Sequence, residues 1–219
     1  MEGPYVQVPC PLPDRVNSET PIAFLDRDGV INRGKPGYVN GPDEVVLLSG
    51  SAETIAALNE HGYLVCVVTN QSPIARGLWP PEHLESIHKE VQRQLIEAHP
   101  EANIHAFLTC PHRLEDSCRC RKPSPAMLFF GHQILRENRI HQTGWQPANH
   151  AVADMEVNWW APKPSAPHTL DLMVGDRGSD MGAGWAYGAR LYQVPATLGL
   201  VSIGDGWMDK EDPGEMFEP

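Results

Sequence analysis

Ile22-Ala23-Phe24-Leu25-Asp26-Arg27-Asp28-Gly29 decides the fold: four apolar residues run without a polar break, two acids stand two positions apart, and a glycine follows. Short apolar runs closed by a charged turn are expected of strands covered on both faces, as in parallel sheets. The same grammar recurs along the chain. Residues 64–68 (LVCVV) run into Thr69-Asn70-Gln71-Ser72, and residues 170–174 end in Gly175-Asp176. Residues 104–108 lead into a cluster of cysteines and a histidine, and 190–194 read as a last strand. Helical spacings lie between: 51–60, 82–98 opened by Pro80-Pro81, a segment from Pro125 to about Asn138, and a glycine-rich 179–187. This alternation predicts an α/β fold on an open, mostly parallel sheet with right-handed crossovers. Ligands of such sheets sit at the carboxyl ends of the strands, where Asp26, Asp28, Thr69 and Asp176 fall.

A chain of 219 residues suits one domain with a sizeable core. Lysine and arginine number 17 against 28 acids, a net charge of −11 with no basic run, which argues against a nucleic-acid partner. No apolar run is long enough to span a membrane, and the N-terminal MEGPYVQVPCPLPDR has no signal-peptide pattern, so the expected setting is the cytoplasm with reduced cysteines. Residues 1–20 read as an irregular, proline-rich lead-in, 21–198 as the working domain and 199–219 as a loosely ordered acidic tail. Within the domain, 139–168 is too long for an ordinary connection and reads as an insertion near the site mouth or at an oligomer contact. The chain is expected to act as a monomer.

In Asp26-Arg27-Asp28 the two carboxylates share one side of an extended segment, and Asp176 adds a third. Such hard oxygens suit magnesium, which shares them with a bound phosphate. One carboxylate can attack phosphorus to give an aspartyl-phosphate. The other can protonate the leaving alkoxide and then take a proton from water. Lys122 offers a fixed cation, and the Thr69 hydroxyl can hold phosphate oxygens. Asn70, Gln71, Arg76 and Arg121 are candidate substrate contacts; the first two also fit a role as turn caps, the arginines a role in surface ion pairs. Each motif alone is equally an exposed turn; their order at successive strand ends argues for a phosphate site.

Cys110-Pro111-His112 and, five residues on, Cys118-Arg119-Cys120 supply three thiolates and an imidazole, a complete tetrahedral set for zinc. A set with no open position implies a structural ion. The alternatives are a disulfide and chance clustering. The loop 110–120 ends one residue before Arg121-Lys122, so zinc there would fix the backbone that aims them.

The ordered segments AFLDRDGVIN, VVTNQS, CRKPSP and MVGDRGSDM resemble the four signature segments of haloacid dehalogenase-type phosphatases, and more narrowly the heptose bisphosphate and histidinol phosphate phosphatase group. The resemblance spans about residues 22–195, the insertion excepted. It implies a modified Rossmann-like domain with helices on both faces, a minimal cap and a zinc-binding loop. It implies Asp26 as nucleophile, Asp28 as general acid and base, Thr69 on phosphate and Lys122 beside the nucleophile. Magnesium would be held by Asp26, Asp176 and the main-chain carbonyl of Asp28, with Asp180 orienting other groups. The implied substrate is a small phosphate ester, first a heptose 1,7-bisphosphate and second histidinol phosphate. A non-catalytic phospho-ligand protein and a DNA 3′-end phosphatase are the remaining readings.

Overall fold

The computed structural model describes residues 4–14, 16–137, 144–147 and 157–216. In chain order the elements are β1 (Tyr5–Val8), β2 (Ile22–Leu25), α1 (Ser51–Glu60), β3 (Leu64–Asn70), α2 (Pro81–Ala98), β4 (Ala106–Cys110) and α3 (Ala126–Leu135). They continue with β5 (Gly144–Pro147), β6 (Leu172–Gly175), α4 (Gly178–Tyr187), β7 (Arg190–Gln193) and β8 (Glu215–Met216). The sheet order is β5-β1-β4-β3-β2-β6-β7-β8. The run from β4 to β8 is parallel throughout, and β1 lies antiparallel between β4 and β5.

Alternation along β2 explains the two layers. Ala23 and Leu25 face one side, packed with Ile55 and Leu58 of α1 and Leu84, Ile87 and Val91 of α2. Ile22 and Phe24 face the other, packed with Met127, Leu128 and Ile134 of α3 and Met181 and Tyr187 of α4. Both faces of the sheet are therefore covered, which is why its strands are continuously apolar. At the lower end Asp171 is fully buried. It accepts from Ile22 N at 2.8 Å and Tyr187 Oη at 2.8 Å and pairs with Arg136. β2 and β6 thus start level, and their acidic ends reach the same height.

Two expectations are corrected. The lead-in 1–20 is not irregular throughout, because Tyr5–Val8 joins the sheet. Val6 and Val8 enter the core while Gln7 turns to the other face and meets the buried His88 ring at 3.0 Å. The tail is not loose from 199 on. Leu200, Ile203 and Trp207 are buried, Arg190 reaches Trp207 O at 3.0 Å, and β8 pairs with β7; Asp205, Asp209 and Glu211 are exposed.

No described residue of the 139–168 insertion is in the lining of the cleft at the strand ends, though Val157 and Trp159 pack at Gly182 of α4, beside Pro123 of that lining. Residues 144–147 form the edge strand β5. Trp159 packs on Trp185 of α4, with ring centroids 5.5 Å apart, and Trp160 is almost fully exposed. Residues 148–156, and Trp145 as a side chain, fall outside what is described.

Candidate active site

Asp26 stands one residue past β2 on the floor of a cleft of about 760 Å³, which also exposes Asp28, Thr69, Asn70, Gln71, Arg76, Arg121, Lys122 and Asp176. Sequence-distant groups meet here because four parallel strands end together. The Asp26 carboxylate is held by one oxygen: Oδ1 accepts from Arg27 N at 2.8 Å and pairs with Lys122 Nζ at 3.0 Å. Among the described residues no hydrogen bond engages Oδ2. The Lys122 ammonium is fully enclosed: it donates to Val68 O at 2.6 Å and forms ion pairs with Asp26 Oδ1 at 3.0 Å and Asp180 Oδ1 at 2.6 Å. Burial pushes the Asp26 carboxyl up to about 6, against the pull of Lys122 and with Asp180 and Asp28 adding to the rise. Burial also works against the Lys122 cation, but Asp180 and Asp26 outweigh it and hold its pKa above the ordinary lysine value.

Asp28 is placed differently. Arg27, itself fully buried, grips it with Nε on Oδ1 (3.1 Å) and Nη2 on Oδ2 (2.8 Å). Asn32 and Gln71 add bonds at 2.9 Å each. Burial raises this carboxyl, but the Arg27 charge and the three donors prevail and keep it below the ordinary carboxylate range.

Asp176 follows β6 and meets the Asp28–Gly29 backbone. Gly29 has φ +84°, and a Cβ there would come 2.8 Å from Asp176 Oδ2, so only glycine permits this approach. Burial and then Asp26 raise the Asp176 carboxyl. Its Oδ1 is buried without a hydrogen-bond partner. Oxygens of Asp26, Asp176 and Asp180 lie within 4.8 Å of one another. Asp180 is already engaged, Oδ1 on Lys122 and Oδ2 on Arg177 N at 3.0 Å. It fits beneath β6 only because Gly175 lacks a side chain; a Cβ there would lie 2.1 Å from Asp180 Cβ. The orphaned Oδ1 of Asp176, close to the Asp26 carboxylate, is what a magnesium ion would satisfy, so these residues fit that ion.

The phosphate-side loop after β3 divides its labour. The Thr69 hydroxyl accepts from Gln71 Nε2 at 3.0 Å and keeps its own proton to donate into the cleft. The Asn70 amide clasps the Lys122 backbone in both directions, at 3.1 Å each. Gln71 spends its Nε2 on Asp28 and Thr69. The Asn70 amide therefore braces the Lys122 backbone and Gln71 Nε2 braces Asp28 and Thr69, while Gln71 Oε1 is buried without a hydrogen-bond partner.

Lys122 is aimed from the other side by the Cys/His loop. Cys110 Sγ lies 3.5 Å from Cys118 Sγ and 3.4 Å from His112 Nδ1; Cys120 Sγ lies 3.8 Å from Cys118 Sγ and 3.4 Å from His112 Nδ1. A tetrahedron with Zn–S of about 2.3 Å and Zn–N of about 2.0–2.1 Å has edges of roughly 3.8 and 3.6 Å. The cysteines are free, not bridged. Burial, with the neighbouring thiols, pushes the Cys110 thiol up to about 12, so a cation is needed for all three sulfurs to be thiolates together. Arg121 Nη1 bonds to His112 O at 2.8 Å, tying the loop to the cleft.

Sequence reasoning missed Tyr38, Ser72 and Arg177, which also line the cleft. The signals were faint: a Gly37-Tyr38 turn after a lysine-proline pair, and an arginine directly following Asp176.

A doubly covered parallel sheet, with an aspartate–lysine pair and further acids converging at its strand ends, defines an aspartate-based phosphohydrolase of the haloacid dehalogenase type. No family model matches the chain. It is 42% identical over 136 residues, 62% of this chain and 73% of the other, to the D-glycero-beta-D-manno-heptose-1,7-bisphosphate 7-phosphatase of Bordetella bronchiseptica. It is 31% identical over 159 residues, 72% of this chain and 68% of the other, to the corresponding alpha-anomer enzyme of Mycobacterium tuberculosis. A crystal structure of the B. bronchiseptica D,D-heptose 1,7-bisphosphate phosphatase, complexed with magnesium and phosphate, superposes with a TM-score of 0.60 at 29% identity over 84% of each chain. A HAD-like phosphatase from Mesorhizobium loti shares the fold, with a TM-score of 0.66 at 24% identity over 100% of this chain and 98% of the other. The chain belongs to the heptose 1,7-bisphosphate phosphatase family. No helix among the described residues is long and apolar enough to cross a membrane.

Proposed function

We propose that the protein is a magnesium-dependent phosphomonoesterase that removes one phosphate from a heptose 1,7-bisphosphate through an aspartyl-phosphate on Asp26. The observation that carries this reading is the Asp26 carboxylate, pinned through Oδ1 by Lys122 with Oδ2 open to the cleft. Oδ2 forms the bond to phosphorus as the bond to the sugar oxygen breaks, and Asp28 gives that oxygen a proton. A bound phosphate dianion beside Asp28 adds like charge and raises its affinity for the proton it must deliver. Asp28 then takes a proton from water, which attacks phosphorus and frees both phosphate and Asp26. The Thr69 hydroxyl binds a phosphate oxygen throughout, while the enclosed Lys122 ammonium holds Asp26 Oδ1 and lends the site positive charge. Magnesium, held by Asp26, Asp176 and the Asp28 carbonyl, would neutralise charge on the phosphate. The names of the relatives favour heptose bisphosphate over histidinol phosphate. Lys35, Arg76, Arg121 and Arg177 line the cleft of an otherwise acidic protein, which suits a substrate with a second anionic group.

Phosphate release is the test, with magnesium present or chelated, from both anomers of heptose 1,7-bisphosphate, sugar monophosphates and histidinol phosphate. Selective, magnesium-dependent turnover of a heptose bisphosphate is expected. Faster release from histidinol phosphate would overturn the substrate, and a rate indifferent to chelation would overturn the metal.

We further propose that Cys110, His112, Cys118 and Cys120 hold one structural zinc. Metal analysis is expected to find about one zinc per chain, lost in Cys118→Ser. Turnover should then fall about ten- to a hundredfold, because the loop supports Arg121 and Lys122. A zinc-free protein with full activity would remove the assignment.

A further inference from the structure

Tyr38 is a half-buried residue of the cleft wall with φ +73°, a conformation that tyrosine rarely adopts. Gly37 before it has φ +77°, so two left-handed residues stand in sequence and only the first is glycine. Its surroundings hold this conformation. Asn40 Nδ2 binds Gly37 O at 2.8 Å and Tyr38 O at 3.1 Å. Asn40 is in turn fixed by Glu44 through its backbone N–H (2.6 Å) and by Trp79 Nε1 (3.3 Å), which anchor the loop beside the start of α2. The result is a tyrosine hydroxyl 3.3 Å from Ser72 Oγ, three residues beyond Thr69. At that separation the bond is long for two hydroxyls, whose usual distance is about 2.7–2.8 Å. Each oxygen also keeps spare donor and acceptor capacity. A strained residue held by several partners, with an under-used hydroxyl directed into a binding cleft, is a pattern expected of ligand-contacting positions.

We propose that Tyr38 is a specificity residue: with Ser72 it hydrogen-bonds a hydroxyl of the sugar whose phosphate sits at Asp26. The proposal rests on the sugar-phosphate reading above and names the residue that selects for the sugar. The chain needs such a group because, without a large cap, the loop from Gly34 to Val39 forms part of the cleft wall.

Tyr38→Phe keeps the ring and the backbone strain and deletes one oxygen. Wild type, Tyr38→Phe and Ser72→Ala would be compared on heptose 1,7-bisphosphate and on p-nitrophenyl phosphate, which has no sugar hydroxyls, with magnesium saturating. For Tyr38→Phe the KM for the bisphosphate is expected to rise about three- to tenfold at little-changed kcat. The aryl ester should change less than about twofold, at an unaltered melting temperature. Equal losses on both esters, or no loss on either, would overturn the proposal. If wild type ignores the bisphosphate but hydrolyses another sugar phosphate, the substrate reading falls. The criterion for Tyr38 then moves to that sugar: its preference over the aryl ester must still drop. Ser72→Ala should shift the same preference in the same direction, and an opposite shift would also count against the pair.

Discussion

Asp26→Asn should stop phosphate release while leaving the protein folded, with kcat falling on the order of a thousandfold or more, as when an enzyme loses its nucleophile. An amide cannot form the phosphoenzyme and gives a cation only one neutral oxygen. Folding should not suffer. Burial pushes the Asp26 carboxyl up to about 6, so the folded protein prefers it protonated. The sign follows from linkage: a carboxyl raised from 3.8 on folding adds stability that is full below about 3.8 and lost as pH rises through about 6. At pH 7 without magnesium the ionised group therefore weakens the fold, and the variant should melt no lower than wild type. Magnesium should then raise the melting temperature of wild type by mass action and raise that of Asp26→Asn much less. A variant that melts like wild type and still turns over would place the nucleophile elsewhere.

The acids could be found in the sequence because parallel strands advertise themselves. Residues 22–25, 64–68 and 172–174 are apolar on both faces, and a polar residue directly after such a run has few places to go other than the strand end. The Cys/His cluster was legible because thiols and imidazoles rarely gather at such spacing without a partner for their lone pairs. What the sequence concealed depended on pairing between distant parts. β1 needed β4 and β5 on either side, and its Gln7 looks polar until His88 stands opposite. Trp207 looked like part of a loose tail until Tyr63 and His61 appeared as its ring partners.

Site roles followed the same rule. Asn70 and Gln71 sit in a loop that sequence marks for ligand contact, yet the Asn70 amide holds the Lys122 backbone and Gln71 Nε2 holds Asp28 and Thr69. Sequence names the residues of a loop but not which way each amide turns. Tyr38 was silent for a related reason: its significance lies in a backbone angle and in a hydroxyl 34 positions away along the chain.

Lys122→Met should produce the largest loss of stability of any substitution considered. The side chain is 1% exposed and is the shared counter-ion of Asp26 and Asp180, the latter equally enclosed. Methionine fills much the same volume, so packing changes little and the missing charge dominates. Removing one partner of a buried ion pair costs about 3–5 kcal/mol, because the other partner is left uncompensated. Without the ammonium, whose charge and hydrogen bond hold the Asp26 carboxyl down, Asp26 gains affinity for protons. A carboxyl raised in this way gives back stability as pH falls through its folded value, so the deficit at pH 7 should narrow toward pH 5. Adding Asp180→Asn removes one stranded charge and should recover part of the loss, a coupling that a double-mutant cycle would register. Activity should follow a different course. Lys122 fixes Oδ1 of the nucleophile and supplies the positive charge beneath the phosphate, so kcat should fall about 10²–10³-fold and stay low in the double variant. Chemical unfolding at pH 7 and pH 5, with turnover of all four proteins, separates the two effects. A single variant within about 1 kcal/mol of wild type at pH 7 would show that the ammonium is not the counter-ion the two acids depend on.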